Sequence, residues 1–299
     1  MPIRILYSLT VLQLIGRIGR WLTYERKIQE EMSVREHLDE LRVRLLRILV
    51  GITSITFFCI IFGFKPLELE FNGVHLLFFY PYPDVFHNVA IQITSYMQST
   101  LLPPGVRLIQ TTPGQAFFAQ LYVAVMIGLI GSMPILIKEI YGFISPAFKK
   151  KVKRDSITKI FVPTISLFLM GVVFSYVAVI PFTLYFLYRY GQAIGVETFL
   201  NISDFISFVL QFFLSFGIAF ELPIIMYAIS LTELIEPNFW RHNLRYSIII
   251  LVIFGAIITP DGSGLTMWFV AGPMIALYLV GMLTIERRAR RRLRILVNP

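Results

Sequence analysis

Charge is scarce in this sequence. Asp, Glu, Lys and Arg make up 15% of its 299 residues, against about 25% in a soluble domain. That shortage excludes a single soluble core, because too few polar residues remain to cover one. The 56% of hydrophobic residues excludes intrinsic disorder. A single cysteine, Cys59, excludes an internal disulfide and a zinc site built on several thiolates. It sits in an apolar run and reads as a packed core thiol. The sequence also lacks a His-Glu-x-x-His helix, a phosphate-binding glycine loop, and Ser–His or Asp–Asp pairs within its apolar runs. Proteolysis and ATP hydrolysis therefore lack their residues, and no cofactor or metal motif is present. The reading is not an enzyme.

Long hydrophobic runs are there instead. A bilayer crossing needs about 20 apolar residues. Runs of that kind occupy 45–64, 116–137, 160–188, 205–231 and 265–283, with a shorter one of 14 residues at 246–259. The expected fold is an all-α polytopic membrane protein with six spans, the last two short. Pro260-Asp261-Gly262-Ser263-Gly264 joins those two as a tight turn.

The net charge of +9 first suggests nucleic acid or an anionic surface. Sorting the cations by segment changes that. Alternate segments hold 24 Lys and Arg on the side of the termini and three on the other. Such asymmetry puts both termini in the cytoplasm. The runs at 149–154 and 287–294 read as anchors attracted to anionic membrane lipids rather than as nucleic-acid sites. The outer segment 65–115 is rich in aromatics, which serve as interfacial anchors, and 84–102 has the look of amphipathic helix.

Ser33-Val34-Arg35-Glu36 is a capping box, Ser at the N-cap and Glu at N3. A helix is expected to start there and run straight into the first span. Glu40 and Arg44 lie four apart in the favourable order and are expected to pair.

His37-Leu38-Asp39-Glu40-Leu41-Arg42-Val43-Arg44-Leu45 resembles the N-terminal signature of TatC, the multispanning subunit of the twin-arginine protein translocase. Matches follow in order: Pro134-Ile135-Leu136-Ile137 with Phe143-Ile144-Ser145-Pro146, then Phe216-Gly217-Ile218-Ala219-Phe220-Glu221-Leu222-Pro223, then Thr259-Pro260-Asp261. The resemblance covers residues 33–286. It implies a receptor subunit that binds twin-arginine signal peptides at its cytoplasmic face. With single-span TatA/TatB-type partners and other copies of itself, such a subunit moves folded proteins across the cell membrane on the proton-motive force. It further implies signal binding by Glu40, Leu41, Arg42 and Phe143. Glu221, Thr259 and Asp261 become an intramembrane polar site that meets the partners. An arginine fork on a carboxylate suits that chemistry, being planar and bidentate.

Two positions depart from the family pattern. Val152 stands where members often carry a second glutamate of a two-carboxylate arginine clamp, with Glu139 or Asp155 as the acids available to substitute for it. Leu265 stands about where many have glutamine. Residues 1–32 precede the match as an extension, either an interfacial helix or a stretch before a start at Met32. Residues 287–299 follow it as a basic tail.

Glu221 itself allows several readings. An acid near mid-span is a functional candidate by default. It is a neutral group bonded to a neighbouring helix, a partner contact, or the ion or proton site of a secondary transporter. No second acid, Lys, Arg or His accompanies it in the apolar middle of a run, and His37, His75, His87 and His242 all fall outside the spans, which disfavours a relay. A structural subunit of a larger complex is the remaining class.

Overall fold

The computed structural model describes residues 34–71, 74–144, 155–231, 235–236, 238–259 and 264–297. The expectations for residues 1–32, Ser33, the 149–154 run with Val152, and the 260–263 turn with Asp261 lie outside them.

Helix α1 (Val34–Ile61) runs unbroken from the carboxylate-bearing segment into the first apolar run, as expected. An antiparallel ribbon follows, β1 (Phe62–Phe71) and β2 (Val74–Pro83), in a register that sets Phe62 opposite Pro83 and Phe71 opposite Val74. The all-α expectation is corrected in part: the chain is mostly helical, but the segment that follows α1 carries strands. A two-stranded ribbon has two open edges, which tolerates Pro66 and Pro81. Helix α2 (Val89–Leu101) comes next. Strand β3 (Arg107–Ile109) pairs in parallel with β4 (Phe199–Asn201), tying two segments distant in the chain together.

The second apolar run is broken. Helix α3 (Gln115–Gly131) and helix α4 (Met133–Ile144) meet at Ser132 with a bend of 54°. Pro134 has no N–H to continue the ladder and is tolerated only in the first turn of a new helix. The third run is α5 (Asp155–Phe174) and α6 (Ile180–Ala193), joined by a π turn at Ser175–Val179. Pro181 lies just past that turn, and the wider turn accommodates its missing donor. The fourth is α7 (Ile202–Phe220) and α8 (Leu222–Leu231), interrupted at Glu221 two residues before Pro223. A short helix α9 (Phe239–His242) precedes α10 (Leu244–Ile258) and α11 (Gly264–Val297).

Among the described residues, four helical spans are long and apolar enough to cross a bilayer, or five when the bent α3–α4 pair is counted as one span. Helix α10 is apolar but shorter. A belt of exposed large apolar side chains, including Phe57, Val173, Val177, Ile250 and Ile257, surrounds the bundle. In water such a surface would be a liability, and in lipid it is matched.

Helix α7 is the centre. Half of the most apolar stretch of the span it forms with α8 is buried in protein, against 11% for α1, so α1 is peripheral. Phe205, Ile206, Val209, Phe212 and Phe216 on α7 are wholly buried. Helix α5 packs on α7, α1 on α3 and α4, and α11 on α8 and α10.

Polar ties fix the ends. Asn88 caps α2 by accepting from the Ile91 N–H at 3.0 Å and donates to the Ile60 and Val85 carbonyls. This locks α2 to the end of α1. Arg241 grips Glu286 with two bonds, 2.6 and 2.8 Å, which raises the guanidinium pKa further. Trp240 donates to Ser230, and Tyr278 donates to the Trp240 carbonyl. The α8–α10 connection is thus pinned to α11.

The Asp84 carboxyl forms a turn after β2. Desolvation pushes its pKa up, but donation from the Phe86 and His87 N–H groups and the nearby His87 ring outweighs it, leaving the pKa below the ordinary value. A depressed carboxyl supports its turn at neutral pH and loses that support as pH falls through the folded value. The Phe86 and His87 amide resonances should therefore titrate with a midpoint under about 3.9, and Asp84→Asn should abolish that step.

Candidate functional site

The N-terminal turns of α1 cross α4, and the crossing is ionic. Arg44 on α1 reaches Glu40 one turn back, with Nε at 3.1 Å and Nη2 at 2.8 Å from one carboxylate oxygen. Its third nitrogen, Nη1, donates across to Glu139 on α4, at 2.9 Å to the carboxylate and 3.2 Å to the main-chain carbonyl. Arg47 Nη1 approaches both Glu139 carboxylate oxygens at 3.3 and 3.4 Å. Two carboxylates therefore share two guanidiniums. Glu139 is only 5% exposed, and burial of that kind is tolerated because the charges are paired and hydrogen-bonded.

Gly142, one turn beyond Glu139, forms the floor. A methyl group there would lie 2.3 Å from Arg44 Nη1 and 2.9 Å from its Cζ. The guanidinium thus lies against bare backbone. Beside it the His37 ring stacks on Phe143, centroids 4.4 Å apart and planes 20° off parallel, and His37 Nδ1 comes within 3.9 Å of Glu40. Leu41 and Arg42 are exposed on α1.

The second group of expected residues is deeper. Glu221 occupies the break between α7 and α8 and is buried, and its Oε1 has no hydrogen-bond partner. Thr259, at the end of α10, turns its hydroxyl inward to donate to the Gly255 carbonyl at 3.1 Å. No hydrogen bond joins Glu221 to Thr259.

Residues 36–273 match the family model described as Sec-independent protein translocase protein (TatC). The chain belongs to the TatC family. It is 50% identical over 261 residues to the Sec-independent protein translocase protein TatC of Cenarchaeum symbiosum, covering 87% of this chain and 97% of that one. Identity to the TatC of Listeria innocua is 33%, covering 87% and 94%. A crystal structure of the twin arginine translocase receptor TatC superposes with a TM-score of 0.65 at 27% identity, covering 84% of this chain and 98% of that one. The family is a component of a protein translocase, so the role is transport rather than catalysis. This TatC-family chain is a multi-pass membrane protein.

Of the residues the TatC signature singles out, Glu40 and Phe143 meet at the α1–α4 crossing, bridged by His37. Leu41 and Arg42 lie on the exposed surface beside it. Sequence spacing anticipates the Glu40–Arg44 pair. Glu139, one of the two acids considered in place of the glutamate missing at Val152, is the second carboxylate of the cluster, though spacing alone does not choose it over Asp155; Gly142 as the floor is not anticipated. The one local signal is that Glu139 closes an apolar run with Gly142 and Phe143 three and four residues on, which is one helix face.

Proposed function

We propose that this chain is the receptor subunit of a twin-arginine translocase. It binds the arginine pair of signal peptides at the cytoplasmic face and, with single-span TatA/TatB-type partners and further copies of itself, moves folded proteins across the cell membrane using the proton-motive force. In this reading the chain has six spans, α10 and α11 supplying the last two, and both termini in the cytoplasm. The 24-to-three asymmetry of cations supports that orientation.

One observation carries the reading. On a strongly basic face, Glu40 is held in a carboxylate cluster that already grips a guanidinium by two nitrogens. Leu41, Arg42 and Phe143 border that cluster and complete the proposed signal contact. Glu221, with a buried unpartnered oxygen, is the proposed intramembrane contact for a partner helix. Thr259 and Asp261 extend it at the outer end of α10. The basic tail at 287–299 and the extension 1–32 are proposed to rest on anionic lipid.

Crosslinking of a twin-arginine peptide to the membrane-embedded protein tests the reading. Glu40→Gln is expected to weaken binding at least tenfold, since a charge-assisted fork becomes a neutral bond. A peptide with Lys-Lys is expected to bind poorly to both. Equal binding of the twin-arginine peptide by wild type and Glu40→Gln would remove Glu40 from the site.

A further inference from the structure

The α1–α4 crossing has an occupant. All three donor nitrogens of Arg44 are engaged, two on Glu40 and one on the carboxylate and carbonyl of Glu139. The Nη1 edge of the group lies against Gly142, where a single methyl would collide with it. These features describe a slot cut for a forked cation. An ammonium fills it badly, because it cannot engage both carboxylates with the geometry of a fixed fork.

We infer that this slot is the receptor's arginine-binding site and that Arg44 is its resident stand-in, displaced when an arginine of the signal peptide enters. The inference rests on the receptor reading above and adds to it the exchange and the role of Glu139.

The physics favours exchange over an open site. A largely buried Glu40 left without its guanidinium, beside a Glu139 held by Arg47 alone, would be costly. An internal arginine covers them while no peptide is present. Replacing one guanidinium by another then changes little in the pairing, so the swap is nearly balanced. Arg44 can leave without unpacking the core. Its neighbours on α1, Leu41 and Leu45, are 41% and 62% exposed, and the bundle centre lies on α7. Arg47 keeps its contact with Glu139 and holds that carboxylate in place through the exchange.

Self-occupancy has a measurable consequence. A ligand that binds only the vacant form sees its affinity reduced by the vacant fraction. With the slot filled about 90% of the time by Arg44, apparent affinity falls about tenfold. It also penalises weaker cations, which must displace a well-bonded arginine.

Peptide binding to the purified full chain, with Arg-Arg and Lys-Lys versions, gives the first arm. Arg44→Gln is expected to tighten the Arg-Arg peptide about tenfold, Arg44→Lys by less, and Gly142→Ala to weaken it severalfold. The second arm uses no peptide: millimolar methylguanidinium should raise the thermal midpoint of Arg44→Gln and leave wild type unchanged, while methylammonium should raise neither. No Arg-Arg preference in wild type would defeat the receptor reading. A wild-type preference with Arg44→Gln and Arg44→Lys no tighter, or equal stabilisation by the two small cations, would overturn the exchange alone.

Discussion

Replacing Glu139 by alanine should cost about 3 kcal/mol of stability, making it among the most damaging single changes on the cytoplasmic half of the proposed topology. The carboxylate is 5% exposed and faces two guanidiniums whose side chains are 18% and 16% exposed. Removing it leaves two largely desolvated cations with one anion between them. The loss exceeds the worth of the hydrogen bonds, because the remaining charges keep their burial and lose their partner. Thermal unfolding in detergent, with Lys138→Ala as comparison, reads the effect. Lys138 is exposed on the same helix and its loss should stay within about 0.5 kcal/mol. Equal midpoints for the two variants would mean that the cluster is solvated and contributes little.

The second large effect belongs to a close helix contact. Where α5 crosses α7, a Cβ at Gly171 would lie 2.4 Å from the Phe216 carbonyl oxygen and 2.9 Å from its carbon. From the other helix, a Cβ at Gly217 would lie 2.5 Å from the Phe168 ring. In lipid no hydrophobic force drives helices together, so near approach of backbones supplies much of the attraction. Gly171→Leu must part the helices at the centre of the bundle, because the atoms it meets are main chain and cannot rotate away. The expected loss is about 3 kcal/mol or more, seen as little folded protein after solubilisation. Gly272→Ala on α11 is the contrast. Nothing lies within 4 Å of its added methyl, so relief of backbone entropy should leave stability unchanged or raise it by about 0.5–1 kcal/mol. A Gly171→Leu protein as stable as wild type would show that α5 and α7 do not depend on this approach.

These two sites mark where the sequence could and could not be read. The apolar runs survive as helices because span length is a local property of composition. The Glu40–Arg44 pair survives because a helix brings i and i+4 together whatever surrounds it. Glu139 meets Arg44 across 95 residues of chain, and no spacing rule carries that far. Gly171 is one glycine among 19, and only the opposing Phe216 backbone distinguishes it. The bend at Ser132 and the interruption at Glu221 were not legible. Pro134 and Pro223 stand beside them, but Pro163 and Pro273 lie inside helices that continue, so proline alone marks no break, and the 54° angle is set by packing. The ribbon at 62–83 was hidden by its prolines and aromatics, which argue equally for interfacial loop.

The ion pair between Arg241 and Glu286 divides α11 unequally. From Glu286 the helix continues about 16 Å to Val297, while the arm back to Gly264 is about 33 Å. The longer arm packs into the bundle through Val270, Ala271, Met274 and Met282, all buried, so the pin and the packing act together to hold it still. The shorter arm bears the arginines, so a load on the basic end meets a rod anchored along most of its length.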